Sequence, residues 1–339
     1  MDAIGNTKTV KKRVEYIDLM KGLCILTVVA LHFKLFPEQS SLNYMQGAIS
    51  IPLYFFLSGI FYKTYKGFIN LCIKKLNNLI IPLIFFSTLF LIVGLPAQWV
   101  SHGLLFPKTS IPKFLFNNYP LWFLKALFIA NILYYFIFKY IPNDIIKTFI
   151  CFALSWIAIY LSNKYIPILE IINKQTCFFN ALIGIIFMHI GMLSNKYNII
   201  RRTLSKTKIN ILILCTLLVL LCTATDNTDF FQREYNTNYI NFLLASTSGI
   251  FFVLFISQKI QKLFLVSFLG RYSLIVLGTH LIYQGVFSPI LLHFIKQPQV
   301  STWISFIITI TLLYIIGIKV IIKLFPQFSA QKDLFTYKH

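Results

Sequence analysis

Residues 17–32 read Ile-Asp-Leu-Met-Lys-Gly-Leu-Cys-Ile-Leu-Thr-Val-Val-Ala-Leu-His and predict a membrane-spanning helix that carries ionisable side chains. At about 100° per residue, Lys21 returns to within roughly 20° and Asp18 to within roughly 40° of the direction of His32. A charged group at the bilayer centre costs at least about 2.5 kcal/mol, so this face cannot point at lipid. The segment therefore predicts a bundle of helices around a protein-lined or wet interior.

The rest of the chain has the composition of a membrane protein. Of its 339 residues, 57% are hydrophobic and 12% are charged, whereas soluble domains carry about 25% charged residues. The mean hydropathy is +0.74. The net charge of +21 would suit a nucleic-acid partner, but the basic residues are distributed along the predicted membrane edges. The composition therefore argues for a lipid bilayer and against nucleic acid.

Ten apolar runs of about the length that crosses a bilayer predict an all-α polytopic integral membrane protein. They lie at residues 17–36, 45–62, 78–97, 121–138, 145–161, 177–193, 208–224, 239–257, 268–292 and 301–323. These runs predict a transmembrane domain over residues 17–325, preceded by a basic segment over 1–16 and followed by a tail over 326–339. The short loops between them leave no room for a separate soluble domain.

The distribution of basic residues predicts the orientation of the chain. With residues 1–16 on the cytoplasmic side, 22 of the 31 Lys and Arg residues lie in inner segments and seven lie in outer loops. Cytoplasmic loops of membrane proteins carry this excess of positive charge. We therefore expect residues 1–16 and 326–339 both to lie in the cytoplasm.

Two histidines inside spans are candidates for chemistry. His32 lies in the outer half of the first span, and His280 lies about a dozen residues into the ninth, which also runs outward. An imidazole suits general-base catalysis near pH 7. The alternative for His32 is an interhelical hydrogen bond, and the sequence favours neither. His280 is predicted at a depth similar to that of His32.

Lysines near the inner edge are candidates for binding an anion. Lys21 is separated from His32 by a helical rise of roughly 16 Å, so the two side chains need separate roles. Lys21 suits a phosphate that arrives from the cytoplasm, and an i,i+3 ion pair with Asp18 is a compatible structural role. Lys74 and Lys75 follow the second span, where basic residues usually serve topology and anionic lipids but also suit a nucleotide-bearing donor.

Other polar residues within the spans favour structural roles. His189 approaches the inner face in the sixth span, and Ser58 precedes Gly59, a pairing typical of close helix packing in membranes. The six cysteines lie in or beside predicted spans without Cys-x-x-Cys spacing, so we expect neither a disulfide nor a metal site.

Several segments, in this order along the chain, resemble those of membrane acyltransferase family 3, the O-acetyltransferases of bacterial surface and secreted glycans. The matching residues are Asp18, Lys21, Gly22 and His32, then Phe55, Phe56, Ser58 and Gly59, then Lys74, Lys75 and Pro82, then Trp122–Leu124, and finally Gly270, Ser273 and His280. The resemblance covers about residues 13–325 and is closest to the fucose 4-O-acetylase-like subgroup. Lys21 replaces the family's usual arginine, which keeps the charge but loses the planar fork.

The resemblance implies a function and a set of site residues. An acetyl group would pass from cytoplasmic acetyl-CoA to a hydroxyl of a cell-surface or secreted polysaccharide, or of its lipid-linked precursor, at the bacterial inner membrane. His32, Asp18 and His280 would form the catalytic set, with His32 removing the hydroxyl proton or carrying the acetyl group transiently. Lys21, Lys74 and Lys75 would attract the phosphates of acetyl-CoA, and no metal is implied.

A second interpretation stays open at this stage. Some proteins that resemble this family move small carboxylates or lipid-linked glycan units, and a proton relay through Asp18, Lys21 and His32 fits such a transporter. Many secondary transporters contain internal repeats, and none is apparent in this chain. Substrate flux without consumption of acetyl-CoA would distinguish the transporter from the enzyme.

Overall fold

A computed structural model describes residues 14–36, 41–94, 121–163, 173, 175–199, parts of 210–218, 228–229, 234–235 and 239–336. Within these ranges the chain is helical apart from two short strands, β1 (Thr228–Asp229) and β2 (Glu234–Tyr235), which pair antiparallel. The α-helices are α1 (Glu15–His32), α2 (Ser41–Ile60), α3 (Phe68–Lys75), α4 (Ile81–Leu89), α5 (Trp122–Tyr140), α6 (Asp144–Asn163), α7 (Phe178–Lys196), α8 (Tyr239–Ile260), α9 (Phe264–Arg271), α10 (Ser273–Phe294), α11 (Pro298–Leu312) and α12 (Ile318–Leu324). π-Helical turns lie at Leu76–Ile80, Phe90–Gly94 and Leu313–Gly317.

Seven helical stretches among the described residues are long and apolar enough to cross a membrane. They are Phe68–Val93, Trp122–Tyr140, Asp144–Ser162, Phe178–Lys196, Tyr239–Ile260, Ser273–Phe294 and Pro298–Leu324. Each overlaps one of the predicted spans, so the prediction of a helical, multi-pass membrane protein is confirmed for these seven. The predicted span 208–224 lies largely outside the described residues. The total of ten spans and the cytoplasmic side of both termini stay predictions.

The first two predicted spans are helical and differ from the seven in composition. α1 carries Glu15, Asp18 and Lys21 within its 18 residues, and the apolar described part of α2 is the shorter stretch Gln46–Ile60. α1 packs against α2, α8, α9 and α10, which leaves the side chain of Asp18 buried. The neighbouring helices thus shelter the charged face, as the cost of exposing charge to hydrocarbon requires.

Two span boundaries predicted from the sequence are wrong. The third span does not begin at residue 78, because the helix starts at Phe68 and continues through the π turn Leu76–Ile80. Its polar Asn77 is buried and hydrogen-bonded to the backbone of a distant segment, so it does not interrupt the helix. The ninth span does not run unbroken from residue 268, since Tyr272 leaves helical geometry between α9 and α10.

α1 and α9 cross with their backbones in contact. A Cβ atom on Gly270 would overlap the carbonyl oxygen of Asp18 and the amide nitrogen of Gly22, and one on Gly22 would overlap the carbonyl oxygen of Val266. Small residues allow this close approach of helices in membranes, where van der Waals packing takes the place of the hydrophobic effect. The crossing packs the first half of α1 against the segment that leads into α10.

A second close crossing joins α2 to α7. A Cβ atom on Gly59 would overlap the carbonyl oxygen of Met188, and one on Gly191 would overlap the carbonyl oxygen of Phe56. The predicted packing role of the Ser58-Gly59 pair is therefore confirmed for Gly59, while the Ser58 hydroxyl donates to Oδ1 of Asn131 at 3.3 Å. The two crossings thus pack α1 closely against α9 and α2 closely against α7.

Candidate active site

His32 and His280 lie side by side where α1 ends next to α10. The centroids of their imidazole rings are 5.0 Å apart, and the ring planes are inclined by 42°. The side chain of His280 is fully buried, and that of His32 is half-buried. Two imidazoles that are 248 residues apart in sequence therefore form one cluster inside the helical bundle.

The hydrogen bonding of His280 identifies which ring nitrogen is available. Nδ1 lies 3.0 Å from the carbonyl oxygen of Val276. Because a carbonyl only accepts, Nδ1 carries the proton, and Nε2 of the neutral ring holds a lone pair. Nε2 is buried and has no hydrogen-bond partner among the described residues. A buried nitrogen in this state is uncommon in proteins, and it is available to accept a proton or a hydrogen bond.

Polar side chains line the boundary between α1 and α2. The thiol of Cys24 donates to the carbonyl oxygen of Ser50 at 3.1 Å, and the hydroxyls of Thr27 and Ser50 are 3.0 Å apart. One turn nearer the start of α1, the Tyr54 hydroxyl donates to the carbonyl oxygen of Lys21 at 3.4 Å. We call these residues the α1–α2 polar seam. It occupies the two turns of α1 that follow Lys21.

Asp18 and Lys21 lie at the opposite end of α1 from the histidine pair. Asp18 is buried where its backbone touches Gly270, and Lys21 is partly buried. The ammonium nitrogen of Lys21 lies 6.0 Å from the ring centroid of Phe61, at the outer limit of a cation–π contact. Because α1 is one continuous helix, Lys21 is roughly 16 Å from His32 along the axis.

Lys74 and Lys75 form the last turn of α3. The ammonium nitrogen of Lys74 lies 2.9 and 3.0 Å from the two carboxylate oxygens of Asp333. Both side chains of this ion pair retain some solvent exposure, 21% for Lys74 and 31% for Asp333. The pair shows that the end of α3 binds an anion of the chain itself.

Asp333 belongs to a segment that folds back onto the start of the third span. We call residues 325–336 the strap. The Asn77 amide nitrogen donates to the carbonyl oxygen of Phe335 at 2.8 Å, and its amide oxygen accepts from the backbone nitrogens of Leu334 and Phe335 at 3.1 and 2.9 Å. The sequence had predicted only a cytoplasmic tail over 326–339. One signal was present, because Asp333 is the only acidic residue after Glu234.

His189, the third histidine within a span, has both ring nitrogens occupied. Nδ1 lies 2.9 Å from the Tyr134 hydroxyl, and Nε2 lies 3.0 Å from the Thr148 hydroxyl. The side chain is fully buried between α5, α6 and α7. These contacts account for a buried imidazole without any role in chemistry.

We expect His189→Ala to lower the free energy of unfolding by about 1–3 kcal/mol, because the buried hydroxyl of Tyr134 loses its partner and that of Thr148 keeps only a backbone acceptor. Thermal unfolding of the detergent-solubilised protein measures this change. His189→Gln is the control, since its amide can still bond one of the two hydroxyls and should recover part of the loss. A His189→Ala variant as stable as the unsubstituted protein would contradict the structural role.

A cluster of charged residues joins the start of α6 to the end of α7. The carboxylate of Asp144 lies 3.1 Å from the ammonium nitrogen of Lys147 and accepts a 2.7 Å hydrogen bond from the Tyr197 hydroxyl, and it also pairs with Lys196. The hydrogen bond to the carboxylate raises the pKa of Tyr197 above its usual value. These four groups satisfy one another, so the cluster anchors helix ends.

No group of three or more His, Cys, Asp or Glu side chains is placed to hold a metal ion within the described parts of the chain. The described candidates for chemistry include the histidine pair, the polar seam and the lysines Lys21, Lys74 and Lys75. Of the predicted site residues, the structure joins His32 to His280 and pairs Lys74 with an acidic residue that the prediction did not include.

Comparison with known proteins gives one match. The model of a protein family described as "Acyltransferase domain" matches residues 14–318 of the chain. The matched region contains both histidines of the pair, all three candidate lysines and the glycines of both close crossings. No curated protein and no solved structure matches the chain.

Proposed function

The chain belongs to acyltransferase family 3 and is a multi-pass membrane acyltransferase, and on this basis we propose that its acyl group is acetyl and its donor cytoplasmic acetyl-CoA. The proposed acceptor is a hydroxyl of a cell-surface or secreted polysaccharide, or of its lipid-linked precursor. The proposed location is the bacterial inner membrane with both termini in the cytoplasm. Within the family, we propose the fucose 4-O-acetylase-like subgroup.

One observation carries the proposal for the site: the buried pair of His32 and His280, with the Nε2 lone pair of His280 unpaired among the described residues. Acyl transfer to a hydroxyl needs a base, because the attacking oxygen becomes nucleophilic as it loses its proton. A neutral imidazole with a lone pair on one ring nitrogen supplies such a base. We assign proton removal to His32, and orientation of the acceptor or a share in the proton transfer to His280.

The proposed reaction balances without a metal. The acceptor oxygen attacks the thioester carbonyl carbon, the carbon–sulfur bond breaks, and the hydroxyl proton passes through the imidazole to the departing thiolate. The products are an O-acetyl ester and free CoA. In the alternative route, a ring nitrogen of His32 takes the acetyl group first and then passes it to the acceptor oxygen. Both routes start from a neutral imidazole.

The three candidate lysines suit the donor. We propose that Lys21, Lys74 and Lys75 attract the phosphates of acetyl-CoA, while Asp18 supports Lys21 one turn away. The roughly 16 Å between Lys21 and His32 along the helix is comparable with the reach of an extended pantetheine arm. The α1–α2 polar seam lies along this path and offers hydroxyl and thiol groups to the amides of such an arm.

The carboxylate of Asp333 in the strap occupies Lys74, one of the proposed donor-binding lysines. A donor phosphate that binds Lys74 must compete with the carboxylate of Asp333. We expect Asp333→Asn to lower the KM for acetyl-CoA by up to about fivefold with kcat unchanged, which corresponds to an exposed ion pair of about 1 kcal/mol. Asn77 keeps the strap attached in this variant, since its hydrogen bonds go to the backbone of neighbouring residues.

Asp333→Glu is the matched control, because it retains the carboxylate and should retain the KM of the unsubstituted protein. Initial rates of CoA release at varied acetyl-CoA concentrations measure both constants. A KM that is unchanged or raised in Asp333→Asn would show that Lys74 does not bind the donor in competition with the strap.

The function itself is tested by mass spectrometry of surface glycans. We expect a strain that lacks the chain to lose the mass of one acetyl group per modified sugar, and expression of the chain to restore it. Membranes that contain the chain should release CoA from acetyl-CoA only when the acceptor glycan is present. Movement of a carboxylate or a glycan unit without CoA release would instead indicate the transporter.

A further inference from the structure

Two glutamine side chains hold the end of α1. Gln284 in α10 donates from its amide nitrogen to the carbonyl oxygen of His32 at 2.7 Å, and Gln299 in α11 donates to the carbonyl oxygen of Leu35 at 3.1 Å. The last carbonyls of a helix have no intrahelical donor, so they accept from elsewhere. The helix stops here because Lys34 adopts a left-handed backbone conformation.

The bond from Gln284 goes to the backbone of His32 itself. Gln284 follows His280 by four residues, which places both side chains on one face of α10. α10 therefore contacts His32 at two points, through the His280 ring at 5.0 Å between centroids and through the Gln284 amide at 2.7 Å. α10 thus contacts both the ring and the backbone carbonyl of His32.

We propose that Gln284 is a positioning residue for acyl transfer. Its amide fixes the backbone of His32 and thereby keeps the His32 ring at a fixed position beside the ring of His280. The proposal rests on the proposed function of the histidine pair. Helix ends fray, and His32 is the last residue of α1. A reacting group must be held to within about 0.5 Å of its productive position. The Gln284 bond supplies that restraint at the residue that needs it.

The expected effect separates positioning from donor binding. Gln284→Met keeps the length of the side chain and removes the amide donor. A shift of about 1 Å at a reacting group lowers a rate by up to about 100-fold, so we expect kcat to fall by about 10–100-fold. The KM for acetyl-CoA should stay unchanged, because Lys21 lies at the opposite end of α1 from His32, and Lys74 and Lys75 lie on α3.

Gln299→Met is the matched control. It removes the same kind of amide-to-carbonyl bond from the same segment, but at Leu35, which lies beyond the histidine. We expect Gln299→Met to retain kcat, and the two variants to have similar thermal unfolding midpoints. Equal losses of kcat in both variants, or a rise in the KM for acetyl-CoA in Gln284→Met, would overturn the proposal.

A readout that does not depend on turnover separates this proposal from the proposed function. Diethyl pyrocarbonate modifies accessible neutral imidazoles, and mass spectrometry resolves the rate at each histidine. We expect His32 to react several times faster in Gln284→Met than in the unsubstituted protein or in Gln299→Met. An unchanged rate at His32 would overturn the positioning role. If the unsubstituted protein released no CoA from acetyl-CoA, the proposed function would fail, while the reactivity of His32 would still decide whether Gln284 restrains it.

Discussion

Substitution of His32 by alanine is expected to lower acyl transfer by about 10²–10⁴-fold while leaving the protein inserted in the membrane. This is the range by which a positioned general acid or base accelerates a reaction. The ring of His32 lies against His280 and is only half-buried, so we expect the bundle to tolerate its removal. The carbonyl oxygen of His32 still accepts from Gln284 in the variant, since alanine keeps the backbone.

The measurement is the rate of O-acetyl ester formation per amount of folded protein, with CoA release followed in parallel. His293→Ala is the matched control, because it removes another imidazole that lies exposed near the end of α10. We expect this control to retain activity. Transfer at an undiminished rate in His32→Ala would show that His32 is neither the base nor the acetyl carrier, and would leave the His280 Nε2 to be tested alone.

Substitution of Gly270 by alanine is expected to have the largest effect on folding. The added methyl group would overlap backbone atoms of Asp18 and Gly22, so α1 and α9 must separate. Overpacking costs about 1–3 kcal/mol where side chains can adjust, and we expect Gly270→Ala to reach or exceed the upper value because the overlapped atoms are backbone. The separation also displaces Asp18 and Lys21, so donor affinity should fall in the protein that does fold.

The yield of monodisperse protein after extraction and its thermal unfolding midpoint measure this effect. Gly317→Ala is the matched control, since a methyl group there meets the hydroxyl of Tyr283, the far end of a side chain that can move. We expect the thermal unfolding midpoint of the control to be close to that of the unsubstituted protein. If Gly270→Ala were as stable as Gly317→Ala, the crossing of α1 and α9 would not limit the stability of the bundle.

Hydropathy predicted most of the helices because a bilayer imposes length and composition on each span. It failed at two boundaries for a reason that lies in tertiary contacts. The third span was predicted to begin at residue 78, but the backbone of Phe335 satisfies the amide of Asn77, and the helix continues through a π turn there. Tyr272 lies within the predicted span 268–292, but the chain leaves helical geometry there, two residues after the close crossing at Gly270.

The histidine pair was the part of the site that the sequence predicted best. Equal depths for His32 and His280 followed from two spans that were predicted to run in the same direction, and the structure places the rings in contact. No comparable sequence pattern predicted the contact of Gln284 with His32 or that of Asp333 with Lys74. Each contact joins segments more than 250 residues apart, and neither depth nor periodicity pairs one amide or carboxylate with one target at that separation.

The crossing of α1 and α9 also constrains the order in which the protein folds during synthesis. Gly22 and Gly270 are separated by 248 residues, and a ribosome that adds roughly 5–20 residues per second needs about 12–50 s to make that length. During that interval α1, with Asp18 and Lys21, exists before the helix that shelters it. The nascent first span must therefore be held by the insertion machinery or by earlier-formed neighbours such as α2 until α9 is made. Folding of the site is complete only after the late helices are inserted.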